Sequence, residues 1–94
     1  MYENISELCL VYSNREENAN KYYIMELKER EDGYYLVTKY GRLGKRPAKR
    51  EKRVKSISFG NSLIAKAYFE KMKKGYINTD IDEIIATGNA FFCE

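Results

Sequence analysis

The sequence predicts an α+β fold: a single small domain in which a four- to five-stranded antiparallel sheet carries one helix packed on one face. Three observations predict it. Short β-favouring stretches recur over residues 7–59, separated by polar or glycine-bearing turns. One later stretch repeats its apolar residues at helical spacing. Ninety-four residues, 44% of them hydrophobic and with nine Tyr and four Phe, suffice for one thin core.

The elements follow in order. Glu7 to Ser13 (ELCLVYS) is short and apolar and reads as a strand. Asn14 to Asn20 is polar and reads as a loop. Lys21 to Glu29 (KYYIMELKE) is a second strand, with Tyr23, Met25 and Leu27 on one face and Tyr22, Ile24, Glu26 and Lys28 on the other. Asp32-Gly33 is a hairpin turn pair, because glycine tolerates positive φ. Tyr34 to Tyr40 is the third strand, and Gly41 and Gly44 mark a sharp change of direction after it. Pro47 lacks an amide proton and suits a loop. Lys49 to Phe59 is read as a fourth strand with a basic start and an apolar end, Ile57 and Phe59. Gly60-Asn61-Ser62 then signals a helix start. Leu63, Ile64, Ala67, Tyr68 and Met72 form its stripe, widened by Phe69. Lys71, Lys73 and Lys74 favour its negative end, and Gly75 stops it after roughly 20 Å. Residues 79–94 are a C-terminal extension whose structure stays open. Ile81, Ile84 and Ile85 suit a helical turn, and Ala90 to Cys93 an edge strand or a docking segment.

Charge is concentrated in Lys39 to Lys55 (KYGRLGKRPAKREKRVK), where nine basic residues face one acid, Glu51, for a net +8 within an overall +3. A field that dense attracts polyanions, of which nucleic acid is the commonest; the alternative is a solvated charge run. The chain has no His, so the usual general base near neutral pH is missing. No catalytic residue is assigned, and no enzyme activity or cofactor is expected. Cys9 and Cys93 lack metal-ligand spacing, and Asp80, Asp82 and Glu83 lack a glycine-bearing calcium loop, so no metal site is expected. The cysteines are expected as reduced thiols, with a disulfide joining the termini as the alternative. No apolar run is long enough to span a membrane, and Met1 to Asn20 does not have the pattern of a signal peptide. A cytoplasmic location is the expectation.

Several motifs in a fixed order resemble one family. Asn20-Lys21-Tyr22-Tyr23 opens an alternating apolar strand. Asp32-Gly33-Tyr34-Tyr35-Leu36-Val37 begins the next, and Tyr40-Gly41-Arg42-Leu43-Gly44-Lys45 follows it. Phe59-Gly60-Asn61, Ala65-Lys66-Ala67, Phe69-Glu70-Lys71 and Lys73-Lys74-Gly75-Tyr76 complete the series. Over about residues 8–77 this resembles the WGR domain, the module of DNA-dependent poly(ADP-ribose) polymerases and of small stand-alone bacterial proteins. Tyr40 stands where the signature Trp would be. Residues 1–78 are therefore expected to form a WGR-like domain. The resemblance implies a binding module that sits at a DNA break and touches partner domains, without the polymerase activity of the larger proteins.

The resemblance also implies roles. Asn20 matches the Asn near the terminal nucleotide, Tyr40 the Trp that packs on the terminal sugar, and Arg42 the Arg between DNA and partner domain. Gly41 and Gly44 match the positions that set the turn. Each role has a plainer alternative: Asn20 as a turn residue, Tyr40 as the last core tyrosine of its strand, Arg42 in an internal ion pair. Lys39, Lys45, Arg46, Lys49, Arg50, Lys52 and Arg53 are the candidate phosphate contacts, able to position a duplex without reading its sequence. DNA is the expected partner, bound by the basic hairpin and the Tyr-Gly-Arg turn. RNA stacked on exposed tyrosines is an alternative. So is a protein partner with an acidic surface, since tyrosine and arginine suit interface centres and Phe91-Phe92 could plug a partner. A monomer or a weak homodimer is expected, with no small-molecule substrate.

Overall fold

Four antiparallel strands follow one another as a meander, and a helix then crosses one face to return the chain to the far edge. The computed structural model describes residues 4–14, 16, 19–43 and 45–79. The order is β1 (Asn4–Asn14), β2 (Ala19–Arg30), β3 (Gly33–Arg42), β4 (Ala48–Val54), α1 (Ile57–Lys73) and β5 (Ile77–Asn78). The sheet order is β4-β3-β2-β1-β5, all pairs antiparallel. The fold is the expected α+β domain, a five-stranded sheet with one helix against it.

The first three strands are longer than the sequence suggested. The polar stretch after β1 still pairs, Ser13 opposite Asn20 and Asn14 opposite Ala19, which shortens the expected 14–20 loop. Polar side chains at exposed strand ends cost the ladder little, so hydrophobicity alone understates strand length. Likewise Gly41 and Arg42 still pair with Tyr22 and Lys21, and the change of direction falls after them.

The larger correction concerns Ile57 and Phe59, expected at the end of a fourth strand. Both lie in the first turn of α1. Ser56, in extended conformation, accepts a hydrogen bond from the Phe59 amide at 3.0 Å and so caps the helix four residues ahead of the expected Gly60-Asn61-Ser62 start. A period-two pattern over four residues was too short to outweigh the cap. Gly75 (φ +99°) follows the helix, as expected, with its amide bonded back to Met72 O at 3.1 Å.

Both faces of the sheet are buried at its centre. On one, Met25, Leu27, Leu36 and Val54 pack with Leu8, Tyr23 and Tyr34 beneath Leu63, Ile64 and Ala67 of α1. The helix lies so close that a methyl group at Gly60 would come within 2.6 Å of Leu27 Cδ1. The apolar stripe is narrower than expected, since Phe69 is 64% and Met72 37% exposed. On the other face Cys9, Tyr22 and Ile24 pack together with Leu43 against them. Cys9 donates to Glu7 Oε1 at 3.4 Å. Glu26 is buried there too, with Asn4 Nδ2 at 3.0 Å from one oxygen and Lys39 Nζ at 3.2 Å from the other. Gly44, Cys93, the Asp80–Glu83 acids, the 81–85 helical turn, the 90–93 strand and Phe91-Phe92 lie outside the described residues. No helix among the described residues is long and apolar enough to cross a membrane.

Candidate nucleic-acid interface

The helix covers only part of its face of the sheet. Register decides what the uncovered part displays. Residues opposite each other on paired strands share a face, and the β2–β3 hairpin sets Tyr23 opposite Tyr40, Met25 opposite Thr38 and Lys21 opposite Arg42. The β3–β4 pairing adds Arg50 opposite Thr38 and Lys52 opposite Leu36. All of these but Met25, together with Lys71 of the last helical turn and Tyr76 just beyond it, border a groove of about 650 Å³. Its floor is Tyr23, Thr38, Tyr40 and Leu36. Arg50 and Lys52 form one wall, Lys71 and Tyr76 the other, and Lys21 and Arg42 stand at its end. Five cations border it, with no acidic residue in its lining.

The aromatic lining is specific in geometry. Tyr23 and Tyr40 have ring centroids 6.2 Å apart with planes tilted by 37°, so neither covers the other's face. Lys71 Nζ sits 4.4 Å from the centre of the Tyr23 ring and 5.2 Å from that of Tyr76, held by cation–π attraction. Tyr76 in turn leans on Tyr12, centroids 5.4 Å apart. Burial pushes the Tyr23 and Tyr76 phenols above the ordinary tyrosine value. They are hydroxyl donors at neutral pH. Burial, followed by the repulsion of Lys74, lowers the Lys71 ammonium. A cation that is costly to hold gains most when an anion arrives.

The Tyr-Gly-Arg segment owes its position to backbone bonds. Gly41 has φ +156°, and a side-chain carbon there would meet Tyr22 Oη at 3.3 Å. Leu43 N donates to Asn20 O at 2.8 Å, and Lys45 N to Arg42 O at 3.0 Å. Tyr22 Oη reaches Lys45 O at 3.4 Å. Asn20 thus anchors the turn by its carbonyl, while its side-chain oxygen accepts from Ser13 Oγ at 2.8 Å.

Strand alternation splits the basic run in two. Of the candidate phosphate contacts, Arg50 and Lys52 line the groove with Tyr40 and Arg42. Lys49 and Arg53 project to the other face, where Lys49 is opposite Lys39. Lys39 approaches the buried Glu26, and Arg53 Nη2 donates to the Asp32 carbonyl. Glu51, between them, takes a hydrogen bond from Arg30 that holds its carboxyl below the usual range. Asp32 is likewise lowered, first by the hydrogen bond from Tyr35. Lys45 and Arg46 are exposed on the β3–β4 connection.

Lys21, Tyr23, Thr38, Lys71 and Tyr76 were not singled out from the sequence as site residues. The hairpin ones were within reach. Counting outward from the expected Asp32-Gly33 turn puts Tyr23 and Lys21 on the same face as Tyr40 and Arg42, although the observed turn is Glu31-Asp32 and the register is two residues away from that count. Lys71 and Tyr76 come from the far end of the helix, and no local pattern points from there to β3. Among the described residues, no group of three His, Cys, Asp or Glu side chains is placed to hold a metal ion.

Comparison with known proteins sets these features beside others. The family model of the WGR domain matches residues 6–83. No curated protein matches the sequence. A protein of Bacteroides fragilis with a known crystal structure has a similar fold, with a TM-score of 0.67 and 22% identity. The match covers 84% of this chain and 21% of that one, so the chain spans about a fifth of the length of its structural neighbour.

Proposed function

The chain belongs to the WGR domain family, and from that premise we propose that it is a non-catalytic DNA-binding module acting through the groove between β4 and the end of α1. The observation that carries this reading is the groove lining, five cations and the rings of Tyr23, Tyr40 and Tyr76 with no acid among them. Cations neutralise phosphates and release counterions, giving affinity without sequence preference. Tyrosine faces add stacking, worth about 1–3 kcal/mol per base. Tyr40 and Arg42, assigned by the family resemblance to a DNA end, lie in this groove. Lys45 and Arg46 extend the positive surface beside it.

The test is fluorescence anisotropy of a labelled blunt duplex, a hairpin with one free end and a closed dumbbell, over a salt series. If the five groove cations each meet a phosphate, log K falls against log salt with a slope of about −4 to −5. Tighter binding of free ends than of the dumbbell supports an end-binding module. Equal binding leaves a backbone binder. No binding at low salt overturns the DNA reading.

A second reading has its own observation. Phe69 and Ile77 are 64% and 60% exposed on the helix and the β5 edge, outside the groove. Exposed apolar side chains there suit a protein partner, whose acidic surface the basic run would steer. Nuclease-resistant recovery of one acidic protein in a pull-down would support it.

A further inference from the structure

We propose that the groove is a receptor for one unpaired nucleotide, so that the module engages a single-stranded DNA extension in preference to a blunt end. This rests on the DNA reading above and names the part of the DNA that the groove holds. The argument is one of shape. The last base pair of a blunt duplex is a plate as wide as the double helix, with a backbone on either side. Such a plate can be capped only by a ring that stands proud of its surroundings. The tyrosines here do the opposite. Tyr23 and Tyr40 lie on the floor of a concavity, flanked by β4 on one side and by Lys71 and Tyr76 on the other. A volume of about 650 Å³ falls within the range that encloses a small organic ligand. A single base with its sugar fits such a space, and a base pair with two backbones does not.

The chemistry of the lining agrees with the shape. Lys71 Nζ already lies over the Tyr23 ring, so the planar guest stacks on Tyr40, whose ring is 6.2 Å from that of Tyr23 and tilted by 37° to it. Stacking on tyrosine accepts any base, because every base has a π face. Thr38 on the floor and the protonated phenols of Tyr23 and Tyr76 offer hydrogen bonds to base edges and sugar oxygens. The cations stand at the walls, where the phosphates on either side of an inserted nucleotide would pass: Arg50 and Lys52 along β4, Lys71 across from them. Arg50 and Lys52 are in no ion pair among the described residues. An aromatic floor between cationic walls is the arrangement by which proteins hold single strands.

The test uses the whole chain and four probes: a blunt duplex, the same duplex with a two-nucleotide 3′ or 5′ extension, and the extension as a free dinucleotide. Anisotropy is expected to show about tenfold tighter binding of one or both extended duplexes than of the blunt one. The dinucleotide should compete only weakly, since it lacks the duplex phosphates. Tyr40→Ala and, separately, Tyr76→Ala should remove the preference, bringing the affinity for the extended duplexes down to that for the blunt one. An extension carrying 2-aminopurine should lose fluorescence on binding the unaltered protein, a readout that does not depend on how well a variant folds. Equal affinity for blunt and extended duplexes, or an unchanged 2-aminopurine signal, overturns the nucleotide pocket and leaves DNA binding standing. Failure to bind any of the four overturns both.

Discussion

A single missing carbon decides how closely the helix approaches the sheet. Gly60 is buried in α1 over Leu27, and a Cβ there would lie 2.6 and 3.0 Å from the two Leu27 methyls. Leu27 is 0% exposed, so it has no open space into which to turn. The sequence offered Gly60 as part of a helix start, since Asn61 or Ser62 beside it could cap the free amides. Its actual role needs a partner from a different element, which local pattern does not reveal. Gly60→Ala gains helix propensity of about 1 kcal/mol but must push α1 outward or force Leu27 off its rotamer. Overpacking of that kind costs about 1–3 kcal/mol and is the larger effect at a contact this short. The expected outcome is a net loss of stability, read as a lower urea midpoint with an unchanged slope. Equal or greater stability in Gly60→Ala would show that the helix can slide without penalty.

At the scale of the element, β4 shows what alternation does to a charge run. As a string, residues 39–55 are one positive patch; as an edge strand, β4 sends Arg50 and Lys52 to the groove and Lys49 and Arg53 away from it. The strand was legible, and so in principle was its parity. What the sequence could not supply was which parity faces the tyrosines, because that depends on the register across the 43–47 connection. The helix start was misplaced for a related reason. Ser56 to Phe59 alternates like a strand, and only the hydrogen bond from the Phe59 amide to Ser56 Oγ shows that the helix has begun. The two rows of β4 make a prediction. Lys52→Glu should weaken duplex binding about tenfold and make the salt slope shallower by about one. Lys49→Glu changes the net charge equally on the other face and should weaken binding by no more than about threefold, through the long-range field alone. Anisotropy of both variants on one duplex checks this, with thermal melts to match their stability. Equal losses would mean that the row facing the groove has no special part in binding.

The whole molecule joins a long-range feature to a short-range one, and the two should separate in kinetics. Net charge is −4 before residue 39 and +8 over residues 39–55, so the positive field is centred on the β4 edge of the sheet and the connection leading into it. Such a field acts before contact, raising the rate of encounter and orienting the approach, and it is screened over about 8–10 Å at physiological salt. Tyr23, Tyr40 and Tyr76 act only when touched. Arg50→Glu and Lys52→Glu should therefore lower the association rate and flatten its salt dependence, as loss of steering does. Tyr40→Ala should leave the association rate within about twofold and speed dissociation roughly tenfold, because lost stacking is felt by the complex and not by the encounter. Stopped-flow association and chase experiments on a labelled duplex with an unpaired extension measure both rates directly. If Tyr40→Ala slows association as much as Lys52→Glu does, the ring is shaping the groove before DNA arrives, and its place would be in the fold and not in the bound complex. If it changes neither rate, the rings of Tyr23 and Tyr76 alone form the stacking surface. The division expected, cations on the way in and a ring against the way out, follows from how far each kind of force reaches.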